Sequence, residues 1–145
     1  MTERINELKS KIIGGVDAKE ARVLEKRLQY NRVNEIYQDA AKSEALVFER
    51  YSEVERGIED YADGSCPHCG EKAVRHLESL KAELKKLEPE LTRHHEEKEF
   101  QAQRLLDIEI EINDLETEIH QAVRHNREVE REICYLQAEE QMQVA

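Results

Sequence analysis

The sequence predicts an all-α protein, a long antiparallel coiled-coil hairpin with a Cys-x-x-Cys turn at its apex. The composition excludes a thick globular core, because only 5% of the residues are aromatic and 38% are charged. On both sides of the chain's midpoint, apolar residues recur at alternating spacings of three and four, which is typical of coiled-coil helices. Between these regions lies Cys66-Pro67-His68-Cys69-Gly70, whose proline and glycine favour a turn.

The first arm, residues 1–65, is expected to contain a short helix, a break at Gly14-Gly15 and a long helix. Asp17 and Glu20 stand at the spacing of a capping box, which predicts that the long helix starts there. Its apolar stripe is predicted to change phase near Asn31. The predicted positions of the stripe are Ile5, Leu8 and Ile12, then Ala21, Leu24 and Leu28, then Tyr30, Val33, Tyr37, Ala40, Glu44, Val47, Tyr51, Val54, Ile58 and Tyr61, of which Glu44 is charged.

The second arm, residues 71–145, carries a more regular stripe. Pro89 falls on its outer side, so a kink is expected there rather than a helix end. The predicted stripe is Leu77, Leu80, Leu84, Leu87, Leu91, His94, Lys98, Gln101, Leu105, Ile108, Ile112, Leu115, Ile119, Ala122, Asn126, Val129, Ile133 and Leu136.

The two stripes match each other in an antiparallel register, because facing residues then have numbers with a constant sum. The predicted layers pair Tyr61 with Leu77, Ile58 with Leu80, Val54 with Leu84, Tyr51 with Leu87 and Val47 with Leu91. The same register puts Glu44 opposite His94 and the Gly14-Gly15 break opposite Val123 and Arg124. The polar layer at Glu44 has two interpretations, a loosened stretch of the coil or a layer that fixes the register.

The turn is predicted to bind zinc through Cys66 and Cys69. Proline fixes the backbone between the two thiols, and Gly70 permits a left-handed residue directly after them. A structural zinc ion takes four ligands, and this chain has one such pair. The other two ligands come either from an identical turn in a second molecule or from His68 or His76 of the same chain. Residues expected at a turn-to-turn interface are Tyr61, Pro67, His68, Gly70 and Val74.

The charge and the apolar runs exclude some classes of function and leave others open. A net charge of −11 argues against direct nucleic-acid binding by this segment. No apolar run is long enough to span a membrane and no signal peptide is recognisable, so an intracellular protein is expected. Two other classes compete with zinc-mediated dimerisation: a coiled-coil adaptor with a zinc site inside one chain, and a redox device that cycles the two thiols.

A central C-P-x-C-G motif between long coiled-coil arms, here Cys66, Pro67, Cys69 and Gly70, resembles the zinc hook of the SMC-like DNA double-strand-break repair ATPases, the SbcC family. The resemblance implies that one Zn²⁺ shared by two chains joins their tips and tethers DNA-bound heads. DNA and a nuclease partner would bind only the heads, in the cytoplasm or, in a eukaryote, the nucleus. The chain lacks the family's G-x-x-x-x-G-K-[ST] loop, so we expect either a hook fragment or a short natural protein that uses the same device, in both cases without enzymatic activity.

Overall fold

A computed structural model describes residues 2–62 and 70–144 of the chain. These residues form three helices, α1 (Thr2–Lys9), α2 (Val16–Ala62) and α3 (Gly70–Val144), and no strand occurs within them. The all-α prediction is therefore confirmed. The chain divides into two compact units, one formed by Met1–Tyr30 with Asp107–Ala145 and the other by Asn31–Leu106.

In the first unit, α1 packs on the C-terminal part of α3. The buried core consists of Ile5, Leu8, Val129 and Ile133. Ile5 and Leu8 bury on one side because they stand three residues apart on a helix. The sequence also assigned Ile12 to this helix, but α1 ends at Lys9 and Ile12 is 38% exposed.

The predicted helix break lies between Lys9 and Val16, and α3 holds it in place. Gly15 has a φ of +79°, a conformation that glycine adopts without steric cost. The Asn126 side chain accepts a hydrogen bond from the Ile13 amide (2.8 Å) and donates one to the Ile13 carbonyl (3.0 Å). His125 Nε2 donates to the Lys11 carbonyl at 2.9 Å. Three backbone groups of the break, the Ile13 amide and the carbonyls of Ile13 and Lys11, are thus satisfied by side chains of α3.

The start of α2 differs from the capping-box prediction. Helix α2 begins at Val16, and the Lys19 amide donates to the Gly15 carbonyl at 3.1 Å. Gly15 is therefore the N-cap residue, and Asp17 lies within the first turn. An acidic side chain at that position still interacts favourably with the positive end of the helix dipole.

The predicted stripe of Ala21, Leu24 and Leu28 is wrong, because these residues face outward: Leu24 is 62% and Leu28 59% exposed. The side of α2 that faces α3 instead carries Lys19, Val23 and Lys26. These residues continue to Tyr30 at alternating spacings of four and three, so the predicted change of phase near Asn31 does not occur. The lysine stems cover apolar surface while their ammonium groups pair with α3, Lys19 with Glu118 at 3.4 Å and Lys26 with Glu111 at 2.5 Å.

In the second unit, the segments of α2 and α3 run antiparallel. Residue numbers on α2 fall as those of their contacts on α3 rise, from Tyr61 with His76 through Arg50 with Glu83 to Glu44 with Lys98. We call the side chains between α2 and α3 within each unit the seam. Its buried members in this unit are Val33, Ala40, Val54 and Gln101.

Every residue of the predicted α3 stripe is buried or half-buried. The regular three-four spacing therefore identified the inward side of this helix correctly. Helix α3 continues through Pro89, which is exposed. A proline on the outer side removes one helical hydrogen bond without placing its ring in the seam. Within residues 2–62 and 70–144, no helix is both long and apolar enough to cross a lipid bilayer.

Candidate metal-binding turn and its helical support

The predicted ligands Cys66 and Cys69, with Pro67 and His68, lie outside the described residues. The structure does describe the helices on either side of them, α2 up to Ala62 and α3 from Gly70. The predicted site therefore occupies the link between the two helices, and the contacts nearest to it show how their ends are held.

Tyr61 and His76 form the contact nearest the link. Their ring centres lie 5.1 Å apart with an interplanar angle of 62°, an edge-to-face arrangement that aromatic rings favour. The sequence paired Tyr61 with Leu77, and the ring contact is made by the preceding residue, His76. This contact holds the end of α2 beside the first turns of α3. Tyr61, which was predicted to contact a second molecule, thus contacts His76 of its own chain, whereas Val74 is 56% exposed.

One turn further from the link, Gly57 brings the two helices close together. A Cβ at Gly57 would lie 3.2 Å from Leu80 Cδ1, inside the ordinary carbon–carbon contact distance of about 3.5–4 Å. The sequence paired Leu80 with Ile58, and the close approach is at the preceding residue, Gly57. The absence of a side chain at residue 57 lets the Leu80 side chain pack against the α2 backbone.

A paired arginine fixes the register of this region. Arg50 donates from Nε to Glu83 Oε1 at 2.7 Å and from Nη2 to Glu83 Oε2 at 2.9 Å, a two-point geometry that is more specific than a single ion pair. Hydrogen bonding to Glu83 raises the pKa of Arg50, and the same bonds lower the pKa of Glu83.

The Arg50–Glu83 pair was not predicted from the sequence, although the sequence contains a signal for it. Each residue immediately precedes a seam position, Tyr51 on α2 and Leu84 on α3. Such flanking residues meet each other in an antiparallel coiled coil, because reversing one helix brings equivalent flanks together. Opposite charges at equivalent flanks therefore indicate antiparallel pairing.

A polar layer interrupts the seam at Glu44. Glu44 Oε2 lies 3.0 Å from Lys98 Nζ, and Glu44 Oε1 lies 3.4 Å from His95 Nδ1. The sequence placed Glu44 opposite His94; the polar contacts of Glu44 are with the next residue, His95, and with Lys98, while His94 Nε2 lies 3.8 Å from Glu90 of its own helix. Pairing with the Lys98 ammonium is the largest cause that lowers the pKa of Glu44, and the same pairing raises the pKa of Lys98.

Each charged group of this layer therefore has a partner on the opposite helix. Gln101, buried in the same region, donates from Nε2 to Glu97 at 3.0 Å and accepts from Arg104 at 3.2 Å. Buried polar groups that find partners in only one register favour that register over others. The Gln101 bonds lie within α3 and form in any register, so the register-fixing interpretation rests on the pairing of Glu44 with Lys98 and His95.

No group of three or more His, Cys, Asp or Glu residues suited to a metal ion occurs among residues 2–62 and 70–144. His76 has an exposed side chain whose ring contacts Tyr61. Cys134, the third cysteine, is exposed on α3 in the first unit, and the neighbouring Glu132 pairs with Arg4 at 3.3 Å.

Comparison of the chain with family models, with characterised proteins and with solved structures gave no match.

Proposed function

We propose that this chain is a zinc-dependent, tip-to-tip homodimerisation module, the hook and coiled-coil segment of an SMC-like DNA double-strand-break repair ATPase. The contact between Tyr61 and His76 is the observation that carries this proposal. Because that contact holds the end of α2 against the start of α3, the link that contains Cys66 and Cys69 joins two helix ends lying side by side. In the proposal, this link meets the same link of another molecule.

The number of ligands explains why two chains are needed. Cys66 and Cys69 provide two thiolates, and a closed structural zinc site takes four. In the proposal, the same pair from a second chain completes the tetrahedron, so that one Zn²⁺ joins two tips. The ligands must be deprotonated to bind, so the dimer should weaken as the pH falls and when a chelator removes the metal.

The helices next to the link are suited to support a joint between molecules. The two-point Arg50–Glu83 pair and the close approach at Gly57 fix α2 and α3 in one register within their unit. Val74 adds exposed apolar surface near the link, which is available to pack against a second tip.

The wider role follows from the resemblance of the motif. In the proposal, the joined hooks tether DNA-bound heads in double-strand-break repair, and DNA and a nuclease bind those heads rather than this segment. We propose no catalytic residue in this chain. The protein would work in the cytoplasm or, in a eukaryote, in the nucleus.

Sedimentation velocity of the zinc-loaded protein tests the proposal. The wild type should sediment as a dimer, and a Cys66→Ser, Cys69→Ser double variant should sediment as a monomer at the same concentration. A Cys134→Ser variant is the matched control and should remain dimeric. A double variant that dimerises with unchanged affinity would refute tip-to-tip joining.

Zinc content separates the competing classes. A shared site predicts one zinc for every two chains, whereas an adaptor with an intramolecular site predicts one zinc in each monomer. For a redox device, the two thiols should exchange disulfides faster than a simple dithiol peptide does. Equal exchange rates would exclude that class.

A further inference from the structure

An outward-facing pair of leucines on α2 is not explained by the packing of α2 on α3. Leu24 and Leu28 are 62% and 59% exposed, and they stand one helical turn apart on the same side of the helix. Single exposed leucines are ordinary on protein surfaces. Here the pair continues to Ala21, which gives the three-four spacing of a second coiled-coil stripe. We call Ala21, Leu24 and Leu28 the outer leucine stripe.

The seam of the first unit does not need this stripe. Val23 is only 6% exposed and fills the inward side of α2, with Lys19 and Lys26 on either side of it. Between the stripe and α3 lies a groove of about 490 Å³. Val23, Leu24 and Ile119 contribute its apolar surface. The groove is large enough to accept a leucine side chain from another helix.

The charges beside the outer leucine stripe determine which helix fits it. Glu20 immediately precedes Ala21, and Arg27 immediately precedes Leu28, so they occupy equivalent flanks of the stripe. If a second copy packs antiparallel, Leu24 faces the other copy's Leu28, and Glu20 faces the other copy's Arg27. Twofold symmetry makes each of these contacts twice.

Parallel packing of two copies is disfavoured by the same charges. In that arrangement each flanking residue meets the residue five positions later in the other helix, so Glu20 would face Glu25. Like charges at these positions repel and lower the stability of the wrong arrangement.

Other contacts in this protein obey the same rule. Arg50 and Glu83 pair in the second unit from equivalent flanks of the seam. In the first unit, Arg27 and Glu116, which each immediately follow a seam residue, also form an ion pair. From the exposed leucines and these charges, we infer that the outer leucine stripe is an antiparallel, twofold-symmetric contact between two copies of this chain.

The contact contains only two leucine layers, so it buries less than the roughly 1,000 Å² expected of a stable interface. It should form reversibly at high protein concentration. It does not depend on zinc, and its test can therefore be made independent of the proposed hook.

Disulfide trapping in a Cys66→Ser, Cys69→Ser, Cys134→Ser background tests the inference. Leu24→Cys and Leu28→Cys proteins, distinguished by mass, are oxidised separately and as an equimolar mixture in a glutathione buffer. Antiparallel contact predicts that the mixed disulfide forms faster than either homodimer, because residue 24 of one copy faces residue 28 of the other. Leu46→Cys, at another exposed leucine, is the control for random collision.

Charge reversal gives a second, independent measurement. By sedimentation equilibrium, Glu20→Arg should weaken self-association by about tenfold, since symmetry replaces two attractive contacts with two repulsive ones. A double reversal that adds Arg27→Glu should restore the affinity when Glu116→Arg accompanies it, because Glu116 pairs with Arg27 within the chain and must change sign with it. Three results would each overturn the inference. The Leu24→Cys homodimer could form as fast as the mixed disulfide, or trapping could be no faster than for Leu46→Cys. The third is a double reversal that fails to restore the affinity.

Discussion

Replacing Val23 and Leu24 separately by alanine tests which of two adjacent residues lies in the seam. Val23 is 6% exposed and Leu24 62% exposed. Val23→Ala removes two buried methyl groups at about 0.8 kcal/mol each, and the cavity left behind adds to that loss. Alanine recovers about 0.5 kcal/mol through its higher helix propensity. The expected net loss in the free energy of unfolding is about 1.5–2 kcal/mol.

Leu24→Ala removes a larger side chain, yet it should change the free energy of unfolding by less than about 0.5 kcal/mol, as is usual for exposed positions. Urea denaturation followed by helical circular dichroism measures both variants. The experiment is done in the cysteine-to-serine background and at low concentration, so that association between chains does not contribute. A larger loss for Leu24→Ala than for Val23→Ala would refute the described packing of α2, because that ranking is the one expected if Leu24 faced α3.

Asn126→Ala removes both hydrogen bonds to the Ile13 backbone, each worth about 0.5–1.5 kcal/mol. Faster amide hydrogen exchange in α1 is expected, and unchanged exchange would contradict the role of Asn126. Glu44→Gln should reduce the dependence of the melting temperature on pH. Since pairing with Lys98 lowers the pKa of Glu44, the wild type has this stabilisation above the ordinary glutamate pKa of about 4.3 and loses it as the pH falls further. Below pH 5 the wild type should therefore lose stability more steeply than Glu44→Gln. The exposed control Glu49→Gln should follow the wild type. Equal pH dependence of the melting temperature in all three proteins would contradict the pairing of Glu44 with Lys98.

The sequence predicted α3 more accurately than the first half of α2. On α3, large apolar residues repeat at three-four spacing with few competitors, so the periodicity alone identifies the inward side. On α2, two stripes compete near residue 24, and hydrophobicity favours Leu24 and Leu28 over the Lys19–Lys26 side. The second stripe lies inward because long lysine stems cover apolar surface while Glu111 and Glu118 on α3 bind their ammonium groups. A search for apolar residues alone does not detect lysines in this role.

Contacts that depend on one side chain reaching across the seam were also difficult to predict. The sequence located the Gly14-Gly15 break, because two glycines disfavour a helix. It did not identify Asn126 as the residue that satisfies Ile13, since the register prediction places only backbone positions opposite each other. A difference of one residue is sufficient to change the side-chain partner. Glu44 was placed opposite His94, and its observed contact is with His95.

The metal ligands stay a prediction from the sequence. Cys66 and Cys69 are recognised by their spacing and by the proline and glycine beside them. The described helices add the Tyr61–His76 contact, which holds the two ends of the link together. A structural zinc site takes four ligands, and in the proposal one chain provides two of them, so the sequence of one chain does not define the geometry of the site.

Native mass spectrometry of the purified protein, with and without a strong chelator, tests the zinc hook most directly. The proposal predicts a dimer that carries one zinc ion and falls to a metal-free monomer when the chelator is added. A monomer that retains one zinc ion would contradict it and would direct attention to an intramolecular ligand such as His76.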